Sequence, residues 1–319
     1  MAANRLVRGV GSAVLATAVA GAAAFAWGSL VERRLFTVRR YEVAVLPPGA
    51  EPIRVLHLSD LHMAPWQRDK QEWVAGLIAE RPDLVVDTGD NLGHVDGIGG
   101  IEKALTPFAG TPGMFVNGSN DYFSPLRKNW LRYFTAPSSV GAPARTPDLD
   151  IERMNRFFAA GLGWTDLNNA ATSLTVRGTR LVLFGVDDPH IGLDRLDRVP
   201  VLLDELEESL AEDDHDVSDL VRIGVAHAPY QRVLNSFVTN GAELILAGHT
   251  HGGQVCVPGI GALVANCDIP RRQASGLSSW RHARRSAKLH VSAGIGTSIY
   301  APVRFACRPE AAMITLVAR

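Results

Sequence analysis

Five short apolar runs in this chain each end in residues that bind cations, and that recurrence limits the possible folds more than any other feature. Ile53 to Leu58 ends in Ser59-Asp60-Leu61-His62, Leu84 to Val86 in Asp87-Thr88-Gly89-Asp90, and Met114 to Val116 in Asn117-Gly118-Ser119-Asn120-Asp121. Val221 to Ala226 ends in His227, and Leu244 to Ala247 in Gly248-His249-Thr250-His251-Gly252-Gly253. Short β-branched runs bounded by turn residues read as buried strands, and Leu181 to Val186 is a sixth of the same kind. In open α/β sheets the loops leaving the C-terminal strand ends converge, so polar groups placed there share one site.

Helical patterns separate several of these strands, at Lys70 to Ala79, Ile151 to Ala160 and Val201 to Leu210. That alternation predicts an α/β layered fold. Lys288 to Ser292 and Ala311 to Val317 read as strands without intervening helices, and Tyr41 to Val45 as an edge strand. A pair of mixed sheets is therefore expected rather than one doubly wound sheet. With 319 residues, 46% hydrophobic and 20% charged, the chain has room for one sizeable domain and an appendage. A net charge of −1 supplies no global field, so no nucleic-acid partner is expected. Thr135 to Pro147, interrupted by prolines, reads as a mobile loop, and the acidic run Glu205 to Asp216 as a solvated helix face with its following loop. Cys256, Cys267 and Cys307 lack CxxC spacing and read as core or near-core thiols rather than zinc ligands.

Gly9 to Val31 carries no charge and is long enough to span a bilayer, with Arg5 and Arg8 before it and Glu32, Arg33 and Arg34 after it. Its lack of a polar face argues against a buried core helix and for membrane contact through residues 9–31. Two outcomes stay open: a retained single-pass anchor in the cell membrane, or an exported chain cleaved near Ala24-Phe25-Ala26.

Taken one at a time, an Asp or Asn after a strand is a turn residue and a lone His a hydrogen-bonded group. Four histidines, two or three carboxylates and an Asn at equivalent strand ends are hard to explain as independent turns. Imidazole with carboxylate suits zinc, manganese or iron, and so many ligands exceed what one ion with an open position needs. Two divalent transition-metal ions sharing a carboxylate fit that number.

The residues Asp60-Leu61-His62, Gly89-Asp90, Gly118 to Asp121, His227 and Gly248-His249-Thr250-His251 resemble the motifs of the calcineurin-like metallophosphoesterases. Leu35 to Arg40 after an apolar segment is similar to the branch of that family with a single N-terminal membrane segment. The resemblance implies a four-layer α/β/β/α sandwich over residues 51–319, preceded by a membrane or signal segment at 1–31 and a linker with an edge strand at 32–50. It implies Asp60, His62 and His251 on one ion, His227, His249 and an Asn on the other, and Asp90 bridging both. The implied activity is hydrolysis of a phosphoester, lipid-linked or otherwise envelope-related, by a metal-bridging hydroxide.

One motif departs from the pattern. Where the family has Gly-Asn-His-Asp, this chain has Gly118-Ser119-Asn120-Asp121. Either Ser119 takes the ligand position, or a shifted loop presents Asn120, whose amide oxygen binds a divalent ion better than a hydroxyl does; Asn120 is preferred. The imidazole that assists the leaving group is absent, which leaves Asn120 or Asp121 there and keeps open a catalytically weakened, metal-binding scaffold. His57 is expected inside the sheet or supporting the site, and Gly252 and Gly253 are expected to let the backbone approach the metals. Arg271, Arg272, Arg281, Arg284 and Arg285 are either a seat for an anionic head group or a solvated loop.

Overall fold

A computed structural model describes residues 2–125, 146–212 and 220–319, with backbone alone over residues 2–14. The strands are β1 (Thr37–Leu46), β2 (Ile53–Leu58), β3 (Leu84–Asp87), β4 (Gly113–Phe115), β5 (Thr165–Asp166), β6 (Ala170–Val176) and β7 (Thr179–Gly185). They continue with β8 (Val221–Ala226), β9 (Leu244–Ala247), β10 (Cys256–Val257), β11 (Gly261–Ala262), β12 (Gly276–His282), β13 (Arg285–Val291) and β14 (Glu310–Ala318). The helices are α1 (Ala2–Leu30), α2 (Arg68–Gly76), α3 (Ile98–Leu105), α4 (Ser119–Tyr122), α5 (Ile151–Arg156), α6 (Val199–Glu212) and α7 (Gln231–Thr239).

Two six-stranded sheets run in the orders β1-β14-β2-β3-β4-β5 and β12-β13-β9-β8-β7-β6. Both are mixed: β2 to β5 are mutually parallel with β14 antiparallel to β2, while β7, β8, β9 and β13 are parallel between antiparallel edges β6 and β12. Successive side chains on a strand face opposite ways, so a strand buried on both faces reads as a continuous apolar run. Val55 and Val86 accordingly enter the layer between the sheets, where they meet Leu183, Ile223 and Leu246. Their neighbours Leu56 and Val85 turn outward onto Val74, Ile101 and Phe108. On the other side Phe184 and Ile245 pack beneath Leu203, Val233 and Phe237. Helices α2, α3 and α5 thus cover one sheet, α6 and α7 the other, which gives the four layers α/β/β/α.

The edge strand is longer than expected. Residues 37–46 pair with β14 along their length, so the stretch after the apolar helix is part of the sheet rather than a free linker. Strands β5, β6 and β12 and helices α3 and α7 were not singled out in the sequence, although α7 buries Val233, Leu234, Phe237 and Val238 at helical spacing. Residues 205–212 of the acidic run lie on α6, mostly exposed, with Glu207 paired to Arg222; residues 213–216, like residues 135–145 of the proline-rich loop, lie outside the described residues.

Helix α1 is apolar and long enough to cross a membrane, by length and composition, over Leu15–Arg34; a signal sequence would pass the same test. Leu15, Val19, Phe25 and Leu30 are exposed along it. Its end is fastened to the sandwich: the Arg304 N–H donates to Gly28 O at 3.2 Å. Buried Glu32 accepts from Trp27 Nε1 at 2.9 Å and from the Cys307 N–H at 2.8 Å.

Candidate metal centre

The C-terminal ends of β2, β3 and β4 in one sheet and of β8 and β9 in the other meet across the top of the inter-sheet layer. Asp60 and His62 leave β2, Asp90 follows β3, Asn120 is the second residue of α4 after β4, His227 follows β8, and His249 and His251 follow β9. Asp60, His62, Asp90, His249 and His251 all have positive φ, between 40° and 68°. Such backbone is uncommon outside glycine and costs about 1–3 kcal/mol per residue unless the surroundings hold it, so five instances at one place mark a site built against local preference.

Hydrogen bonds fix which atom of each side chain faces the centre. Ser59 Oγ donates to Asp60 Oδ2 at 2.6 Å and the His249 N–H to the same oxygen at 3.0 Å. Asp60 Oδ1 is buried without a hydrogen-bond partner, 3.5 Å from His251 Nε2. His62 Nε2 lies 3.1 Å from His251 Nε2, with the two rings stacked. His227 Nδ1 donates to Thr88 O at 2.7 Å, and His249 Nε2 to Asn266 O at 3.2 Å. A neutral imidazole has one N–H, so the carbonyls assign the lone pairs to His227 Nε2 and His249 Nδ1. Those two atoms face each other at 3.3 Å. A divalent ion set beside them would draw on both nitrogens.

Asp90 stands between the two groups. Its Oδ1 is 3.4 Å from His227 Nε2 and its Oδ2 is 3.6 Å from His62 Nε2. Asp60, His62 and His251 form one set able to hold a metal, and Asp60, Asp90 and His227 a second that shares Asp60. Burial lowers His62 to about 4 and, with neighbouring cations, holds His249 and His251 well below the usual imidazole range, so these rings are neutral donors at neutral pH. Burial pushes Asp60 up to about 6. His227 goes the other way: burial lowers it, but the Asp90 carboxylate more than offsets that and favours a proton there.

Asn120 contacts Asp90 directly through its backbone and side-chain N–H groups, while Ser119, equally half-buried, starts α4. Asp121, expected near the leaving group, points the other way. Its Oδ2 accepts from the Asp90 and Gly118 N–H groups and its Oδ1 from those of Asn91 and Leu92, so it braces the Asp90 loop from behind. Gly118 is tight for the same reason, since a Cβ there would strike Asp90 Oδ1 and His227 Cε1. His57 is fully buried; its Nε2 meets Thr88 Oγ1 at 3.0 Å, and Thr88 O receives the His227 proton, so it supports the site through Thr88.

One expectation is corrected, and one open choice is narrowed. Gly252 and Gly253 adopt positive φ and pack against Cys307 and Ala262, so their smallness serves that packing rather than an approach to the metals. Arg281, Arg284 and Arg285 sit at the β12–β13 hairpin, and β13 starts beside the N-terminal end of β9, the sheet edge opposite His249 and His251. Of the two readings of the arginine cluster, this placement fits the solvated loop for Arg281, Arg284 and Arg285, away from the metal centre; Arg271 and Arg272 lie on a separate turn.

Residues missed in the sequence also line the site. Asp187-Asp188-Pro189-His190 follows β7, the same strand-end signal that marked the others. Asp188 is fully buried with Oδ2 lacking a hydrogen-bond partner, and burial pushes it up to about 7. The His190 ring lies 4.5 Å from that of His249, and its Nδ1 meets the Tyr230 hydroxyl at 2.8 Å. Arg304, fully buried, donates to the carbonyls of Ala293, Gly294 and Gly296 and lies 3.4 Å from His251 Nδ1. It follows no periodic segment, so no pattern could have pointed to it.

Residues 53–253 match the family model described as calcineurin-like phosphoesterase. The chain belongs to this family. It is 25% identical over 309 residues to phosphodiesterase YaeI of Escherichia coli (strain K12), covering 95% of this chain and 96% of that one. It is 21% identical over 329 residues to the uncharacterized metallophosphoesterase YkuE of Bacillus subtilis (strain 168), covering 99% and 98%. Among solved structures, TT1561 of Thermus thermophilus aligns with a TM-score of 0.42 at 12% identity, covering 77% of this chain and 91% of that one. Membership implies a phosphoester hydrolase that uses divalent metal ions, and the candidate ligand sets provide places for them.

Proposed function

We propose that the chain is a binuclear phosphodiesterase acting on a membrane or envelope-related substrate. The observation that carries this is that His227 Nε2 and His249 Nδ1 face each other 3.3 Å apart beside Asp90, with their opposite ring nitrogens held by the Thr88 and Asn266 carbonyls. Asp60, His62 and His251 would hold one divalent ion, His227, His249 and Asn120 the other, with Asp90 between them. Two such ions would supply an activated water and offset the negative charge on the phosphoryl oxygens during in-line attack. The chain orients its ligands through Ser59, Thr88, Asp121 and the Asn266 carbonyl. The diester preference draws on the name of YaeI, and the membrane substrate on the apolar helix fixed to the domain at Gly28 and Glu32.

The test is direct. Purified full-length protein should carry close to two transition-metal ions per chain and hydrolyse an aryl phosphodiester, with a chelator abolishing turnover. An active preparation holding a single ion would reject the binuclear centre, and a two-metal preparation inert toward diesters and monoesters would favour a metal-binding scaffold.

A further inference from the structure

A second basic site lies where the apolar helix enters the domain. A cavity of about 160 Å³ opens between the residues just after α1, the start of α2 and residues 295–297. That is room for about five waters, or for a phosphate with some of the atoms attached to it. Arg33, Arg34, Arg68 and Lys70 line it against one carboxylate, Asp69. Among the described residues no ion pair ties Arg33, Arg34 or Arg68. Arg33 Nε is buried with no hydrogen-bond partner. Lys70 is buried too, and its Nζ donates to Leu61 O at 2.5 Å and His62 O at 3.0 Å, which uses two of its three protons. The enclosed Arg33 Nε, with the exposed Arg34 and Arg68 beside it, offers donors that an anion with several oxygens would satisfy.

The location says which anion. Trp66 stands exposed at the rim, edge-on to His94, and tryptophan favours the head-group level of a bilayer. Exposed apolar side chains run up α1 immediately above, and the contacts of Gly28 and Glu32 with residues 304–307 hold the helix end at a fixed place relative to the cavity. We propose that this cavity binds the phosphate of an anionic phospholipid head group in the bilayer that α1 enters. This rests on α1 being a retained membrane segment. The far wall connects to the metal centre: the Gly296 N–H donates to Asp60 O at 2.6 Å and the Ile295 N–H to Ser59 O at 3.1 Å. A bound head group would therefore set the orientation of the metal loop toward the membrane surface.

The test uses the full chain in neutral detergent, titrated with phosphatidylglycerol, phosphatidylcholine or inorganic phosphate. Phosphatidylglycerol should bind at least about tenfold more tightly than phosphatidylcholine, and Arg33→Gln/Arg68→Gln should abolish that preference. Arg281→Gln/Arg284→Gln, at the remote hairpin, should keep it. If the first variant melts early, Arg34→Gln/Trp66→Ala on the exposed rim takes its place. Equal binding of the two lipids, or inorganic phosphate binding as tightly as phosphatidylglycerol, overturns the proposal. Carbonate extraction of cell membranes separates the two failures: release of the chain rejects the membrane segment itself, whereas a retained chain without lipid preference rejects the cavity alone.

Discussion

Asn120 holds both oxygens of Asp90: its backbone N–H donates to Oδ1 at 2.8 Å and its side-chain amide to Oδ2 at 2.7 Å. The Asp121 side chain, next in the same turn, accepts from the Asp90 N–H and leaves the carboxylate alone. Asn120→Ala should therefore lower metal affinity by roughly 10- to 100-fold, the usual effect of removing a partner of a ligating group, while Ser119→Ala leaves metal content unchanged. Elemental analysis of the two purified variants decides between them, and the reverse order would make Ser119 the ligand.

Asp90 has φ of 58°, a conformation that costs an L side chain and not glycine. Asp90→Ala and Asp90→Gly both remove the shared carboxylate and should both empty the two metal positions. Without metal, the Gly variant should be more stable than the Ala variant by about 1 kcal/mol, since only it relieves the backbone. Urea melts of the chelated proteins measure the difference, and equal midpoints would show that the loop relaxes out of that conformation.

His290 lies in the core, with its Nδ1 2.9 Å from His57 Nδ1, and burial lowers it to about 3. The unfolded chain binds this proton near pH 6.5 and the folded chain only near 3, so the stabilising difference is complete above about 6.5 and is lost as pH falls toward 3. His290→Leu should be less stable than the parent at neutral pH, because His57 loses its partner. It should also lose less stability on acidification across that window. Melting temperatures against pH test both, and parallel acid limbs would show that His290 takes up no proton in unfolding.

Strand β1 starts at Thr37, and Arg39 pairs with Glu310 and Arg40 with Glu80. A chain beginning at Glu32 keeps β1 and the Glu32–Cys307 bond, and should be soluble and folded. A chain beginning at Tyr41 lacks the residues that pair with Glu310 to Met313 and should melt several degrees lower. Equal melting of the two would show that the first turn of β1 adds nothing.

Position 120 offers no imidazole to protonate a leaving oxygen, and general acid help is worth roughly 10²- to 10⁴-fold for an alkoxide and little for an activated phenol. Turnover should therefore fall steeply as the leaving-group pKa rises. Ser119→Asn/Asn120→His should raise hydrolysis of alkyl esters more than of nitrophenyl esters. A parallel gain on both would mean that the proton comes from elsewhere in the site.

Alternation and turn residues are enough to read six buried strands and to place Asp60, His62, Asp90, Asn120, His227, His249 and His251 at their ends. Those signals are local: a strand buried on both faces must be apolar throughout, and the polar residue that follows it must lie at the sheet edge. The tertiary structure alone decided what depends on distant chain segments meeting. Asp121 turned out to brace the Asp90 loop because four amides from two segments converge on it. Arg281, Arg284 and Arg285 fell at the wrong edge because β13 runs parallel to β9. Arg304 joined the site, and Arg33 came to line one cavity with Lys70, through contacts between segments far apart in sequence; Asp188 and His190 carried the strand-end signal and were overlooked. Periodicity records which face of an element is buried; it carries no term for which element lies across from it, and that pairing is what builds a site.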